Sequence, residues 1–94
     1  MVKEIIWTKR ADAQLTSVYY YLVEKWSKKV ANDFALKVKL KVSRLKEFPE
    51  IGRPTDSIKR LRKLIVTRYN YVLYEIRNEQ IFIHSLCDMR QENK

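Results

Sequence analysis

Apolar residues recur every three or four positions through the first half of the chain. In the first such stretch they are Ala11, Leu15, Val18, Tyr19, Leu22, Val23 and Trp26. This spacing predicts an amphipathic helix, and it resumes after Ser27 and continues to Pro49, which a helix cannot accommodate. Thr8 and Ser27 are residue types that cap helix N-termini. The pattern therefore predicts two helices joined tightly at Trp26 and Ser27, forming an antiparallel hairpin.

Strands are predicted where β-branched and aromatic residues cluster. The four stretches are Val2–Trp7, Ile58–Arg68, Tyr71–Arg77 and Gln80–Cys87. Short turns at Tyr69-Asn70 and Asn78-Glu79 make the last three strands antiparallel neighbours. The apolar run Ile81-Phe82-Ile83 predicts a central strand that is buried on both faces.

The only glycine, Gly52, lies between Pro49 and Pro54 in the segment that follows the second helix. A single glycine between two prolines is typical of an irregular turn. We expect this turn to require a positive φ at Gly52.

The order of elements is β-α-α-β-β-β. This order predicts an α+β fold in which the helical hairpin packs on one face of a mostly antiparallel four-stranded sheet. A chain of 94 residues leaves no room for a second core, so we expect residues 1–94 to form a single domain.

Composition restricts the function further. With 46% hydrophobic residues the chain can fold, and its formal charge of +9 favours nucleic acid or an acidic protein as partner, although a merely solvated basic surface is the alternative. The lone cysteine, Cys87, excludes an internal disulfide framework. No signal peptide and no apolar run of membrane-spanning length are seen. We therefore expect a cytoplasmic protein with no membrane partner and no cofactor.

The most informative run of positive charge extends from Ser57 to Tyr74, which contains five basic residues and no acidic one. The candidate contacts for nucleic acid or an acidic protein are Lys59, Arg60, Arg62, Lys63, Arg68 and Arg77. With the two-residue period of a strand, Arg60, Arg62 and Arg68 would share one side and Lys59 and Lys63 the other.

The order of elements and several motifs together resemble the RelE/ParE superfamily of bacterial toxins. These motifs are Trp26 at the end of the first helix, the segment from Phe48 to Pro54, Arg62, the strand from Tyr71 to Ile76, and the closing segment from Ile81 to Gln91. The resemblance spans essentially the whole chain. It implies the toxin half of a type II toxin–antitoxin pair of the plasmid-stabilisation kind, partnered by an antitoxin that would cover the basic surface.

Within that superfamily, ParE-like members poison DNA gyrase, whereas RelE-like members cut messenger RNA on the ribosome. The resemblance implies catalytic roles for Arg62 and Arg90 only in the RelE-like case. The match there is incomplete, since Tyr71 stands where ribonuclease members place an arginine and no tyrosine or histidine follows Arg90. We therefore favour the gyrase poison over the endoribonuclease, and rank a small nucleic-acid-binding module third.

Other candidate groups carry weaker signals. His84 is the only histidine, and we expect it to be a packed or hydrogen-bonded strand residue on the same face as Phe82 and Leu86, with a catalytic role as the alternative. Glu47 and Glu50 could act as bases near the second helix end, but such carboxylates are usually solvated. Metal binding is not expected, because His84 and Cys87 would point to opposite faces of a strand.

Overall fold

Two side-chain caps set where the helices begin. In the structure, a computed structural model that describes residue 2 and residues 4–55 and 60–91, helix α1 spans Lys9–Lys25 and helix α2 spans Lys28–Ser43. The Thr8 hydroxyl accepts a hydrogen bond from the Ala11 amide, and the Ser27 hydroxyl accepts one from Val30. Both predicted N-caps are therefore confirmed, and the helices pack against each other as a hairpin.

Helix α2 is shorter than the apolar spacing predicts. It ends at Ser43 and is followed by a 3-10 turn over Arg44–Lys46. The tighter turn places Leu45 in the core with no exposed surface. The apolar pattern continues past the helix because this turn still faces the core. The prediction that the helix continues to Pro49 was therefore wrong.

A five-stranded sheet lies against the two helices. Its strands are β1 (Glu4–Trp7), β2 (Arg53–Pro54), β3 (Leu61–Ile65), β4 (Asn70–Arg77) and β5 (Gln80–Asp88), in the spatial order β1-β5-β4-β3-β2. Strand β1 runs parallel to β5, and every other pair is antiparallel. The predicted α+β class is confirmed. The strand count differs by the two-residue β2, whose Pro54 is tolerated because β2 is an edge strand.

The first predicted strand after the loop is shorter than expected. Ile58 and Lys59 lie outside the described residues, and β3 ends at Ile65 because residues 66–69 turn back towards β4. The second turn is at Asn78 and Glu79 as predicted, and Asn78 adopts a positive φ of 57°. Asparagine tolerates this conformation better than most residues, which explains its place in the hairpin.

Strand β5 is interior to the sheet but is buried on one face only. Ile81 and Ile83 are buried, whereas Phe82 and His84 are half-buried on the opposite face. The register shifts from Leu73↔Ser85 to Tyr74↔Ile83, so His84 is the extra residue of a β-bulge. The bulge moves Leu86 to the core face, and the prediction that His84 and Leu86 share a face was therefore wrong.

The core lies between the helices and one face of the sheet. Its fully buried members include Ala11, Val38, Leu45, Val72, Tyr74, Ile81 and Ile83. We call the sheet face that the helices cover the helix face, and the opposite one the open face. Within the described residues, neither helix is long and apolar enough to cross a membrane.

Candidate functional site

The basic residues predicted to share one surface are divided between the two faces of the sheet. Arg62 is paired with Tyr74, a core residue, and so lies on the helix face, whereas its neighbour Lys63 lies on the open face. Arg60 reaches the open face, and Arg68 lies in the turn before β4. Lys59 lies outside the described residues. The expectation that Arg60, Arg62 and Arg68 share a side was therefore wrong.

Arg62 anchors the loop that contains Gly52. Its Nη1 donates to the Gly52 carbonyl at 2.7 Å and to the Glu50 carbonyl at 3.2 Å. The Tyr74 hydroxyl completes this anchor, because it donates to the Pro49 carbonyl at 2.7 Å and accepts from the Gly52 amide at 2.9 Å. Burial raises the pKa of Tyr74 despite the hydrogen bond from Gly52, so the hydroxyl keeps its proton for Pro49.

Replacing Arg62 with alanine should therefore loosen this loop. We expect the free energy of unfolding to fall by about 1–2 kcal/mol, since two carbonyl groups lose a charged donor. Hydrogen exchange at the Gly52 amide should accelerate in the same variant. Arg90→Ala removes an arginine held in a more exposed contact and should leave the free energy of unfolding close to that of the wild type. Unchanged stability and unchanged Gly52 protection in Arg62→Ala would contradict the anchoring role.

A buried carboxylate organises the centre of the open face. We call Arg60, Glu75, Arg77 and His84 the Glu75 cluster. Arg77 donates from Nη2 to Glu75 Oε1 at 3.1 Å and from Nε to Oε2 at 3.3 Å. His84 Nε2 lies 2.9 Å from Oε1, and Arg60 Nε lies 3.7 Å from it. The hydrogen-bonded role expected for His84 is the one observed.

Glu75 is charged at neutral pH despite its burial. Its side chain is only 9% exposed, against 56% for Arg77 and 68% for Arg60. The hydrogen bonds from Arg77 first, and then from His84, lower the pKa of Glu75 below its ordinary value and outweigh its desolvation. The carboxylate therefore acts as an internal counter-ion, and the cluster presents positive charge to solvent.

The open face also brings together cations and aromatic rings. Lys63 Nζ lies 4.3 Å from the centre of the Tyr71 ring, and the Arg77 guanidinium lies 4.6 Å from that of Phe82. Arg53, which pairs with Lys63 across β2 and β3, adds a further exposed cation. Neither Arg53 nor Glu75 was identified from the sequence as part of this surface.

Arg90 lies at the other end of the sheet from Arg62. It forms an ion pair with Asp88 at 2.8 Å, and this hydrogen bond lowers the pKa of Asp88. Its guanidinium also lies 5.5 Å from the ring centre of Tyr69, as does that of Arg68. Arg62 is paired with Tyr74, whereas the amide of Met89, next to Arg90, donates to the Tyr69 carbonyl just before β4. Since strands rise about 3.3 Å per residue, the backbone positions of the two predicted catalytic arginines are separated by roughly 16 Å along the strand direction. The structure does not bring them together.

The remaining candidates do not assemble a reactive centre. Glu47 and Glu50 are exposed at the end of the helical hairpin. Cys87 is half-buried, with its Sγ 3.6 Å from the Ser85 hydroxyl. Across residues 4–55 and 60–91, no three His, Cys, Asp or Glu side chains come together as a metal site would require.

A groove of about 960 Å³ runs between the helices and the end of the sheet that holds Arg90. Apolar residues from both layers line it, among them Val18, Leu22, Phe34 and Leu86. Its basic lining residues are Arg10, Lys37, Arg68 and Arg90. Two acidic residues, Asp33 and Asp88, also line the groove, so it offers apolar contact with an excess of positive over negative side chains.

Comparisons with known proteins agree with this fold. A chain from the chromosomal ParDE TA system of P. aeruginosa superposes with a TM-score of 0.81 at 19% identity, covering 94% of this chain and 96% of that one. A chain of the YoeB dimer from Staphylococcus aureus gives a TM-score of 0.60 at 14% identity, with 94% and 97% covered. At these identities the likeness establishes the shared fold. No curated protein matches the sequence.

The sequence itself provides the assignment. The pattern of the family described as "ParE toxin of type II toxin-antitoxin system, parDE" matches residues 5–92, nearly the whole chain. The match includes both helices, the Gly52 loop and all five strands apart from the first residue of β1. The chain therefore belongs to the ParE toxin family of type II toxin–antitoxin systems.

Proposed function

We propose that this protein arrests growth by binding DNA gyrase, and not by cutting RNA. The observation that carries the proposal is the separation of Arg62 from Arg90. A ribonuclease must place a base, an acid and a phosphate-stabilising cation around one scissile bond. Here Arg62 is used to hold the Gly52 loop and Arg90 is paired with Asp88 at the other end of the sheet. A toxin that acts by binding needs no such convergence.

A type II toxin is paired with an antitoxin protein. The groove between the helices and the sheet suits an amphipathic segment of that partner, because its lining combines apolar side chains with four cations, which outnumber its two acidic residues, Asp33 and Asp88. Acidic residues on the antitoxin would complement these cations. Neutralisation through this groove would leave the toxin folded but inaccessible to its target.

Ribosome-dependent cleavage of messenger RNA is the second candidate. The formal charge of +9 favours it, since binding to ribosomal RNA is driven by phosphate neutralisation. The Glu75–His84 pair also favours it, because a histidine held by a carboxylate is an arrangement that proton transfer uses. The arginine set of the RelE-like members is nevertheless not assembled around this pair.

Expression of the chain in bacteria should stop growth. Co-expression of the antitoxin, sought as the product of the adjacent small gene, should restore it. Plasmid DNA from the arrested cells should be less negatively supercoiled than plasmid from cells that also express the antitoxin. Normal growth with verified expression of folded protein would reject the toxin function. Growth arrest with unchanged plasmid topology and shortened messages would favour the ribosomal candidate.

A further inference from the structure

We propose that the open face of the sheet, centred on the Glu75 cluster, is a binding site for an extended acidic segment of the antitoxin. This inference relies on the proposed function only for the source of the segment. It identifies a second contact surface on the opposite side of the sheet from the helix-lined groove. Its chemistry is recognition of carboxylates by arginines that the protein itself holds in position.

The charge distribution of the cluster favours an incoming anion. Glu75 lies beneath the surface with a side chain 9% exposed, whereas Arg60 and Arg77 are more than half exposed. An approaching ligand therefore meets guanidinium groups and not the carboxylate. Glu75 accepts hydrogen bonds from Nε and Nη2 of Arg77. A guanidinium has five N–H donors, so within residues 4–55 and 60–91 these two bonds leave donors for a second carboxylate.

Arg77 is fixed from two directions before any ligand arrives. Its guanidinium is hydrogen-bonded to both oxygens of Glu75 and stacked on the Phe82 ring at 4.6 Å. A side chain that is already ordered loses less conformational entropy on binding. Glu75 is therefore a positioning residue. The affinity gained because it orders Arg77 should exceed the affinity lost because its negative charge repels an acidic ligand.

The aromatic rings of the open face argue for a peptide over a single-stranded nucleic acid. Nucleobases bind such sheets by stacking on open ring faces. Here Lys63 covers Tyr71 and Arg77 covers Phe82. Tyr71 is itself buried.

The surroundings of the cluster suit an extended peptide. Leu61 and Leu73 are half-buried and Ile65 is 54% exposed, and their places in the register put them on the open face. Along β3 the open face thus presents the cationic Lys63 between the apolar Leu61 and Ile65. A peptide in which acidic and apolar residues alternate places all of its carboxylates on one side, because every second side chain of a strand points the same way. That side can face the exposed cations of the open face.

The test uses the whole chain and a fluorescein-labelled synthetic peptide in which glutamate alternates with valine or threonine. Fluorescence anisotropy at physiological salt should show binding. The same peptide with glutamine in place of glutamate should bind about tenfold more weakly, because the carboxylates carry the recognition. Arg60→Ala/Arg77→Ala should lose about tenfold as well. The matched pair Lys28→Ala/Lys39→Ala removes equal charge from α2 and should lose less than about twofold.

Glu75→Gln separates positioning from net charge. The variant makes the cluster more positive, yet it should bind the peptide about threefold more weakly because Arg77 loses its fixed orientation. Arg77→Lys keeps the charge and should also bind less tightly, since a lysine cannot make the paired contact. Circular dichroism establishes that each variant is folded. Tighter binding by Glu75→Gln would overturn the positioning role.

Two other outcomes would overturn the site. One is an equal loss in the two double variants, which would mean unspecific attraction to a basic protein. The other is tighter binding of a labelled oligouridylate than of the peptide, lost in Arg60→Ala/Arg77→Ala, which would assign the face to nucleic acid. Gyrase inhibition is measured independently of peptide binding. A protein that inhibits gyrase but does not bind the peptide would reject this site alone. A protein that binds the peptide but does not inhibit gyrase would reject the proposed function alone.

Discussion

Replacing Gly52 with alanine should lower the free energy of unfolding by about 2–3 kcal/mol. The added Cβ would lie 2.6 Å from Tyr74 Cε1, 2.7 Å from its hydroxyl oxygen and 2.9 Å from the Lys63 carbonyl oxygen. Real Cβ contacts are longer, and neither the fully buried Tyr74 ring nor a strand carbonyl can yield easily. Equilibrium unfolding in urea measures the change.

A double-mutant cycle with Tyr74→Phe tests whether this cost arises at the tyrosine. Tyr74→Phe alone should cost about 1–2 kcal/mol, because the buried Gly52 amide and the Pro49 carbonyl lose their partner. The hydroxyl contact of the new Cβ is absent in the double variant, although the ring contact remains. The double variant should therefore be about 1 kcal/mol more stable than additivity predicts. Strict additivity would show that the tyrosine hydroxyl does not limit the space at Gly52.

Glu75→Gln should lower the free energy of unfolding by about 1–2 kcal/mol at neutral pH. The glutamine side chain has only one acceptor oxygen, so it cannot accept hydrogen bonds from Arg77 at two atoms as the carboxylate does. Its NH₂ group would also face cations. Asp88→Asn makes the same chemical change in a more exposed pair, since Arg90 is 74% exposed. That control should cost about 0.5 kcal/mol or less. Equal losses in the two variants would contradict a special role for the buried carboxylate.

The effect of Glu75 should disappear in acid. Its pKa is lowered in the folded state, so the stabilisation is present above the ordinary glutamate value of about 4.3 and is lost as pH falls through the lower folded pKa. The difference in unfolding free energy between wild type and Glu75→Gln should therefore shrink as the pH falls below about 5. Because the other carboxyl groups are common to both proteins, they cancel in this difference. A difference that grows as the pH falls below about 5 would contradict the lowered pKa of Glu75.

The helical hairpin was predictable because local signals determine it. Thr8 and Ser27 supply the N-caps, and the three- and four-residue spacing identifies the buried side of each helix. The end of α2 was not predictable, since the spacing continues through Leu45 whether the chain turns as an α-helix or as a 3-10 turn. Local periodicity reports which residues face the core and not which helix type carries them.

Gly52 shows how a correct signal can be given the wrong cause. Its isolation between two prolines identified an unusual backbone position, but no glycine among the described residues has a positive φ. The requirement comes from the Tyr74 ring and the Lys63 carbonyl, which approach from strands distant in sequence. Sequence alone cannot show such a tertiary contact.

The candidate site was only partly predictable. The basic run was visible, but its division between two faces depends on the pairing of Arg62 with Tyr74 and of Lys63 with Leu73. Glu75 could have been noticed, because it is the only acidic residue between Ser57 and Arg77. Its contact with His84 could not, since the β-bulge on β5 changes which side chains face each other.

The proposed function is inhibition of gyrase by binding, without cleavage of RNA. Its most direct test is a supercoiling assay in which purified protein is titrated against purified gyrase, with messenger RNA on programmed ribosomes as the parallel substrate. We predict that supercoiling falls as the protein is added and that the ribosome-bound message stays intact. Full supercoiling activity together with cleavage of the message, lost in Arg90→Ala, would contradict it.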